Sequence, residues 1–210
     1  MKRLVGIQLG LVLVAAMVVP AHGQGRKVHL AAVGGVNFAT WTGDDVGSSA
    51  ERRTGFHAGG TIGLDLSQAI TLQTGLIYSQ EGTGAQAGGI SGSVKVDYLE
   101  VPLELKAGTT LRGTTPIRPY LVAGAGIGFK TRCKIEASSG GASAEADCDD
   151  PSVQLQLKGT DFGLRFGAGV DIGRVTVGGR YQLGLTSVDD TGANADIKNS
   201  VLAVTAGFRF

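Results

Sequence analysis

His57 and Ser79 form a pair of side chains whose types could support nucleophilic catalysis. A histidine beside a serine can accept the hydroxyl proton and so convert the oxygen into a nucleophile. A hydrolase would also need an acid to orient the ring, for which Glu81 and Asp161 are candidates. The alternative interpretation is a hydrogen bond between two interior polar groups, without catalysis.

A second set of polar residues could neutralise one another inside the fold. In each alternating segment they lie on the face opposite the large apolar side chains, and the other residues of that face are mostly glycine. They are Asp65, Glu100, Glu104, Asp161, Asp171, Arg118, Lys130, Arg165, Arg180 and Arg209. Buried charges are costly unless they are paired, so five bases and five acids predict an ion-pair network.

The elements that carry these residues are predicted to be strands, because apolar side chains recur at every second position. Eight such segments span residues 29–39, 55–66, 70–80, 94–105, 117–130, 161–172, 175–186 and 201–210. In the fourth segment the apolar phase changes from even to odd numbers. A bulge near Tyr98 and Leu99 would reconcile its two halves.

The tight turn at residues 67–69 fixes the pairing of the second and third segments. If Leu66 faces Ile70 across an antiparallel pair, paired residue numbers sum to a constant. His57 then lies opposite Ser79, and both point to the polar face. The hydrolase interpretation depends on this register.

Long polar connections lie at residues 40–54, 81–91, 131–160 and 187–200. They alternate with tight turns at 67–69 and 173–174 and with a longer connection rich in glycine and threonine at 107–116. This alternation is typical of membrane barrels. We therefore predict an all-β fold, an eight-stranded antiparallel up-and-down transmembrane β-barrel. The 35 glycines among 210 residues suit a narrow interior. Eight strands enclose room for little beyond their own side chains, which favours a filled lumen over a selective pore.

The amino-terminal residues have the pattern of a secretory signal peptide. Lys2 and Arg3 precede an apolar run that ends in small residues. We expect cleavage after residue 23, with cleavage after residue 21 as the alternative, so that the barrel domain spans 24–210. An uncleaved membrane anchor is the other interpretation.

Cys133 and Cys148 are the only two cysteines. In an exported chain an even pair predicts a disulfide. A metal site would need further ligands, and no histidine lies near in sequence. We expect no metal and no cofactor.

Without its first 23 residues the chain has 17 basic and 18 acidic residues, since Lys2 and Arg3 are lost. Such a balance argues against nucleic acid as a partner. The sequence predicts a monomer.

The last segment, VLAVTAGFRF, resembles the closing strand of bacterial outer-membrane barrels. In such strands the terminal aromatic residue is read by the barrel-assembly machinery. The resemblance implies that Phe208 and Phe210 form an assembly signal and that this machinery is a partner.

Five further blocks resemble the outer membrane protein β-barrel domain family, which includes PorT-like proteins. They read LQTGLIYSQEG, YLEVPLELK, PYLVAGAGIGF, DFGLRFGAGVD and RYQLGLTSV. The resemblance implies a barrel in the cell outer membrane, surrounded by outer-membrane lipid. It brings no catalytic motif.

The sequence therefore favours a structural role, or recognition of an extracellular or envelope protein through the outer loops, without catalysis. A small lipid-modifying hydrolase that uses His57 and Ser79 is one alternative. A narrow channel or a secretion-associated, PorT-like component is another.

Overall fold

The computed structural model describes residues 27–47, 50–87, 90–111, 113–140, 142–148, 150, 153, 156–191 and 195–210. The predicted signal peptide lies outside these residues. Ten strands are present in them: β1 (Val28–Thr42), β2 (Ala50–Glu51), β3 (Arg53–Asp65), β4 (Ile70–Ala87), β5 (Ile90–Gly108), β6 (Ile117–Ser139), β7 (Ala142–Asp147), β8 (Thr160–Ile172), β9 (Val175–Gly184) and β10 (Lys198–Arg209). No helix among the described residues is long and apolar enough to cross a membrane.

Eight of the strands close into a ring. Each pairs antiparallel with both neighbours, in the order β1, β3, β4, β5, β6, β8, β9 and β10, and β10 pairs back to β1. The two short strands, β2 and β7, extend the pairing of β4 and β6 beyond the ring. The predicted eight-stranded antiparallel barrel is confirmed.

The two ends of the barrel differ, as the connection lengths predict. At one end, here called the turn end, strands are joined by residues 66–69, 109–116 and 173–174, and both β1 and β10 have their free ends there. At the other end, the loop end, lie residues 43–49 and 185–197 and the hairpins β4–β5 and β6–β7. Short turns on one side and long connections on the other fit a barrel inserted from one side of a membrane.

The outer wall carries an apolar belt. Large apolar side chains alternate outward on every strand of the ring and are exposed. Among them are Leu30, Val36, Phe56, Ile62, Leu76, Leu103, Leu121, Phe166, Val177 and Val204. The buried charged residues occupy the opposite, inward phase. Because a water-soluble barrel would reverse this arrangement, the wall suits a lipid environment.

Three strands, β4, β5 and β6, are longer than predicted by at least seven residues. β4 continues to Ala87 and β5 begins at Ile90, so most of the predicted loop 81–91 is a hairpin. β6 continues to Ser139 and pairs with β7, so part of the predicted loop 131–160 is also strand. The outward apolar residues end where a hairpin rises above the belt, because its outer face there meets water instead of lipid.

The register shift near Tyr98 is confirmed, but the extra residue lies on β6. Asp97 pairs with Arg132 and Tyr98 pairs with Lys130, which leaves Thr131 unpaired. β5 therefore keeps one phase throughout. Its even-numbered apolar residues Val96 and Tyr98 point inward, so the register shift does not bring the two apolar halves of this segment onto one face.

Inward glycines let neighbouring strands approach closely. A Cβ at Gly124 would lie 2.2 Å from the carbonyl oxygen of Leu103, and one at Gly169 would lie 2.4 Å from the hydroxyl of Tyr120. At the outward Gly60 the nearest atom would be 3.8 Å away. The concave face of a small barrel thus has room at these positions for hydrogen alone.

Candidate functional site

A layer of charged side chains crosses the middle of the lumen. Arg165 lies between two carboxylates, with Nη1 3.2 Å from Glu100 and Nε 3.2 Å from Glu104. The other oxygen of Glu104 lies 3.2 Å from Nη2 of Arg180. Four of the ten residues predicted for the network therefore meet in one cluster, here called the charge layer. Glu104 is 1% exposed, so the layer closes the lumen to solvent at this level.

A second group lies between the charge layer and the turn end. Nζ of Lys106 lies 2.7 Å from Asp171 and 3.7 Å from the ring centre of Tyr120. Arg209 approaches the same carboxylate at 3.9 Å and donates a 2.7 Å hydrogen bond to the carbonyl of Gly173. Lys106 is absent from the predicted network, although it continues the inward phase of Glu100 and Glu104.

Two of the predicted residues lie at the mouth of the turn end. Asp65 lies 2.7 Å from Nε2 of His29 and accepts a 2.8 Å hydrogen bond from Thr71. Arg118 donates to the carbonyl of Ala69 at 3.1 Å and to the hydroxyl of Thr71 at 3.4 Å. Asp65 and Arg118 thus share Thr71 instead of forming a direct pair.

The last two lie at the loop end of the lumen. Asp161 accepts a 2.9 Å hydrogen bond from the amide of Asn199 and a 3.2 Å bond from Thr186. Lys130 donates to the carbonyl oxygen of Leu157 at 2.9 Å. The ten predicted residues therefore form several separate groups, and only part of the predicted network is a set of direct ion pairs.

His57 and Ser79 pair directly across β3 and β4, so the predicted register is confirmed. Their side chains do not meet, because Asn37 lies between them. The carbonyl oxygen of Asn37 is 2.8 Å from Nδ1 of His57, and its amide donates to Ser79 at 2.9 Å. Nε2 of His57 lies 2.9 Å from the hydroxyl of Thr205.

Ser79 in turn donates to Glu81 at 3.2 Å, and Asp161, the other candidate acid, bonds elsewhere. The result is a hydrogen-bonded chain that runs from Thr205 through His57, Asn37 and Ser79 to Glu81. All of these side chains are buried inside the barrel. Sequence reasoning missed Asn37, although its odd number in β1 places it in the inward phase.

An apolar plug fills the lumen at the loop end. Its buried members come from β5, β6 and the two longest connections, and they are Val96, Tyr98, Cys133, Cys148, Leu157 and Val188. Cys133 and Cys148 form the predicted disulfide, with Cα atoms 5.4 Å apart. The plug, which was not predicted, explains the apolar even phase at the start of β5.

Backbone hydrogen bonds hold the two connections over the plug. The amide of Lys158 donates to the carbonyl of Val188 at 2.9 Å, and the amide of Asp190 donates to Gln156 at 2.9 Å. Because these bonds join segments that follow different strands, the loop end is a braced cap over the barrel.

Above the belt, the outer face of the hairpins carries charged pairs. Lys95 of β5 pairs with Glu136 of β6, and Lys134 pairs with Glu145 of β7. Half-exposed pairs of this kind contribute little stability individually. They do mark a polar wall that stands outside the lipid and faces the medium.

The fold resembles solved outer-membrane proteins at low identity. Ail, the attachment invasion locus protein of Yersinia pestis, is 17% identical, with 88% of this chain and 99% of that chain aligned at a TM-score of 0.44. Neisserial surface protein A is 14% identical, and the alignment covers 89% of this chain and 100% of that chain at a TM-score of 0.44. The outer membrane enzyme PagL is 16% identical, with 87% and 99% aligned at 0.36. Likenesses this distant say nothing about the role of the chain.

No curated protein matches the chain. A family model described as "Outer membrane protein beta-barrel domain" matches residues 20–190, which include most of the described barrel. That description names no secretion role, so the PorT-like alternative stays a prediction. The match and the apolar belt place the protein in the cell outer membrane, and the chain belongs to the outer membrane protein β-barrel domain family.

Proposed function

We propose that this protein is a monomeric surface-interaction protein, which uses the barrel as an anchor and the loop end as its binding face. The braced cap carries this proposal. Disulfide, apolar plug and inter-loop hydrogen bonds all lie at the loop end, where they hold connections that a purely structural barrel would not need to order. Recognition residues typically lie on loops that a rigid scaffold positions.

The β6–β7 hairpin is the most prominent part of this face. Every residue of β7 is exposed, and the strand is tied to the barrel through the disulfide and through its pairing with β6. A stiff projection loses little conformational entropy when a partner binds, which favours affinity.

A photo-cross-linking experiment in cells tests the binding face. A photoreactive amino acid is placed at Ser143 in β7, and at the lipid-facing Leu121 as the matched control. We expect a discrete protein adduct from position 143 and only lipid adducts from position 121. Protein adducts from both positions, or from neither, would contradict the proposal.

The same proposal holds that the chain is not an enzyme. Both ring nitrogens of His57 already have partners other than Ser79, and the hydrogen-bonded chain faces the lumen, away from the acyl chains of the membrane. A nucleophile needs direct contact with its base and access to substrate.

A lipid-hydrolysis assay tests this part of the proposal. We expect the wild type and Ser79→Ala to release acyl chains at the same background rate. Measurable hydrolysis by the wild type that Ser79→Ala abolishes would establish the hydrolase alternative instead.

A further inference from the structure

The half of the lumen nearest the turn end is an open vestibule. Its mouth has a volume of about 350 Å³ and adjoins a deeper recess of about 60 Å³. Glycines, among them Gly63 and Gly178, line the recess and leave this space open. The charge layer closes its inner end, so a ligand can enter only from the turn end, which faces the periplasm.

The lining of this vestibule is strongly cationic. Among the described residues that line the recess, Asp171 is the only one with a carboxylate. Five cationic side chains surround it: Lys106, Arg118, Arg174, Arg180 and Arg209. The mouth adds the side chains of Lys27 and Asp65, one charge of each sign, and the carboxylate of Phe210. Walls of low dielectric strengthen the field of such a cluster and attract anions.

Internal pairing leaves two guanidinium groups of the described lining without a counter-charge, and a third shares its carboxylate with Lys106. Lys106 is matched by Asp171, and Arg180 by Glu104. Within the described part of the chain Arg118 and Arg174 have no carboxylate at ion-pair distance, and Arg209 reaches Asp171 only at 3.9 Å. Nε of Arg118 is buried and makes no hydrogen bond within the described part of the chain.

We propose that this vestibule is a binding site for a doubly charged oxyanion of the phosphate class, either free phosphate or a phosphate monoester, taken from the periplasm. Guanidinium groups present paired donors that match phosphate oxygens. Arg118 and Arg174 have no ion-pair partner among the described residues, and Arg209 shares Asp171 with Lys106. Their excess positive charge therefore suits a doubly charged anion better than a singly charged one. The hydroxyl of Tyr120, which lies 3.1 Å from that of Thr176, lines the same space and can donate to a further oxygen.

Isothermal titration calorimetry of the full barrel in dodecyl maltoside micelles, which are neutral and free of phosphate, tests the proposal. Inorganic phosphate, glycerol phosphate and acetate are titrated separately. We expect both phosphate compounds to bind about tenfold more tightly than acetate, because each charge-assisted hydrogen bond lost weakens binding by about that factor. Tighter binding of glycerol phosphate would identify an ester as the ligand, and tighter binding of inorganic phosphate would identify the free ion. Equal or weaker binding than acetate would overturn the proposal.

Variants locate the site. Combined Arg118→Gln and Arg209→Gln should weaken phosphate binding at least about tenfold, whereas Arg132→Gln, which removes an exposed cation at the loop end, should change it less than about twofold. If the double variant fails to fold, Arg174→Gln on the exposed β8–β9 turn replaces it, with an expected loss of about threefold. Binding that is unchanged in the turn-end variants, or lost in Arg132→Gln, would refute the proposed site.

Discussion

Glu104 has almost no contact with solvent and lies between two guanidinium groups. Its two oxygens each approach a different arginine at 3.2 Å, so a single carboxylate neutralises parts of two cations inside the barrel. Removing one member of a buried ion cluster leaves an uncompensated charge, which is far costlier than losing an exposed pair. A substitution in the charge layer should therefore lower the free energy of unfolding more than one in the exposed charged pairs of the hairpins.

We expect Glu104→Gln to destabilise the barrel by about 3 kcal/mol, because Arg180 loses its counter-charge without a change in shape. Urea unfolding in lipid vesicles, followed by tryptophan fluorescence, measures this. Lys95→Gln, which breaks the half-exposed pair with Glu136, is the matched control and should cost less than about 1 kcal/mol. Equal losses would show that the charge layer is solvated.

Asn37 is the residue that most changes the interpretation of the lumen. It links His57 to Ser79 and fills the gap that a catalytic contact would occupy. With Asn37→Ala we expect a loss of about 2 kcal/mol, since the His57 ring, the Ser79 hydroxyl and the Gln80 carbonyl each lose a hydrogen-bond partner. Unfolding in urea checks the value, and Asn37→Asp, which loses the donor to Ser79 and buries a carboxylate, should cost at least as much as the alanine variant. A neutral alanine variant would mean that water replaces the amide.

Strand geometry explains where a methyl group can be added. On β6 the inward Gly124 abuts the backbone of β5, whereas Gly60 on β3 points outward into open space. The same amino acid thus meets opposite constraints on the two faces of one sheet.

Gly124→Ala should therefore destabilise the barrel by about 2 kcal/mol, because its Cβ forces the two strands apart. Gly60→Ala should be neutral, or stabilising by about 0.5 kcal/mol through a less flexible unfolded chain. Both are measured by the same unfolding transition. A reversal of this order would mean that the inward and outward faces are exchanged.

The disulfide belongs to the cap and not to the ring. Reducing it, or replacing both cysteines by serine, should leave the barrel folded on unheated gels but increase cleavage by protease within residues 134–160. The bond links residues 15 apart in sequence. It should stabilise the folded hairpin by about 3 kcal/mol, because it reduces the conformational entropy of the unfolded segment. The serine variant should not respond to reductant. If reduction leaves the cleavage rate of the wild type unchanged, the plug holds the hairpin without the bond.

Alternation of side chains was enough to predict the eight strands and the pairing of His57 with Ser79, because both follow from a period of two and one tight turn. It could not predict that Asn37 separates them, since contacts across a barrel depend on the stagger of strands distant in sequence. Nor could it identify Val96 and Tyr98 as a plug. An apolar residue looks the same in sequence whether it faces lipid or fills an interior.

Two barriers occupy the lumen in series within the described part of the chain. The charge layer blocks the middle of the lumen and the apolar plug blocks its loop end. An ion that crossed would have to displace paired charges and then enter an apolar region, and each step is unfavourable.

We expect no steady conductance steps from the purified protein in planar bilayers at neutral pH. Tyr98→Ala alone should leave the barrel closed, because the charge layer remains. Regular steps from the wild type would support the channel alternative, and steps that begin only with Tyr98→Ala would assign the barrier to the plug.

The seam between β1 and β10 has a consequence for how the molecule assembles. Its residue pairs run from Ala31 with Arg209 to Thr42 with Lys198, and the amide of Phe210 donates to the carbonyl of Leu30. These contacts join segments almost the whole chain apart, so they have the largest loop-closure entropy of any pairing in the ring. Until the last strand is available, β1 has one unsatisfied edge. We therefore expect closure of the ring to be the slow, late event of folding, with the edges of β1 and β10 unpaired until then.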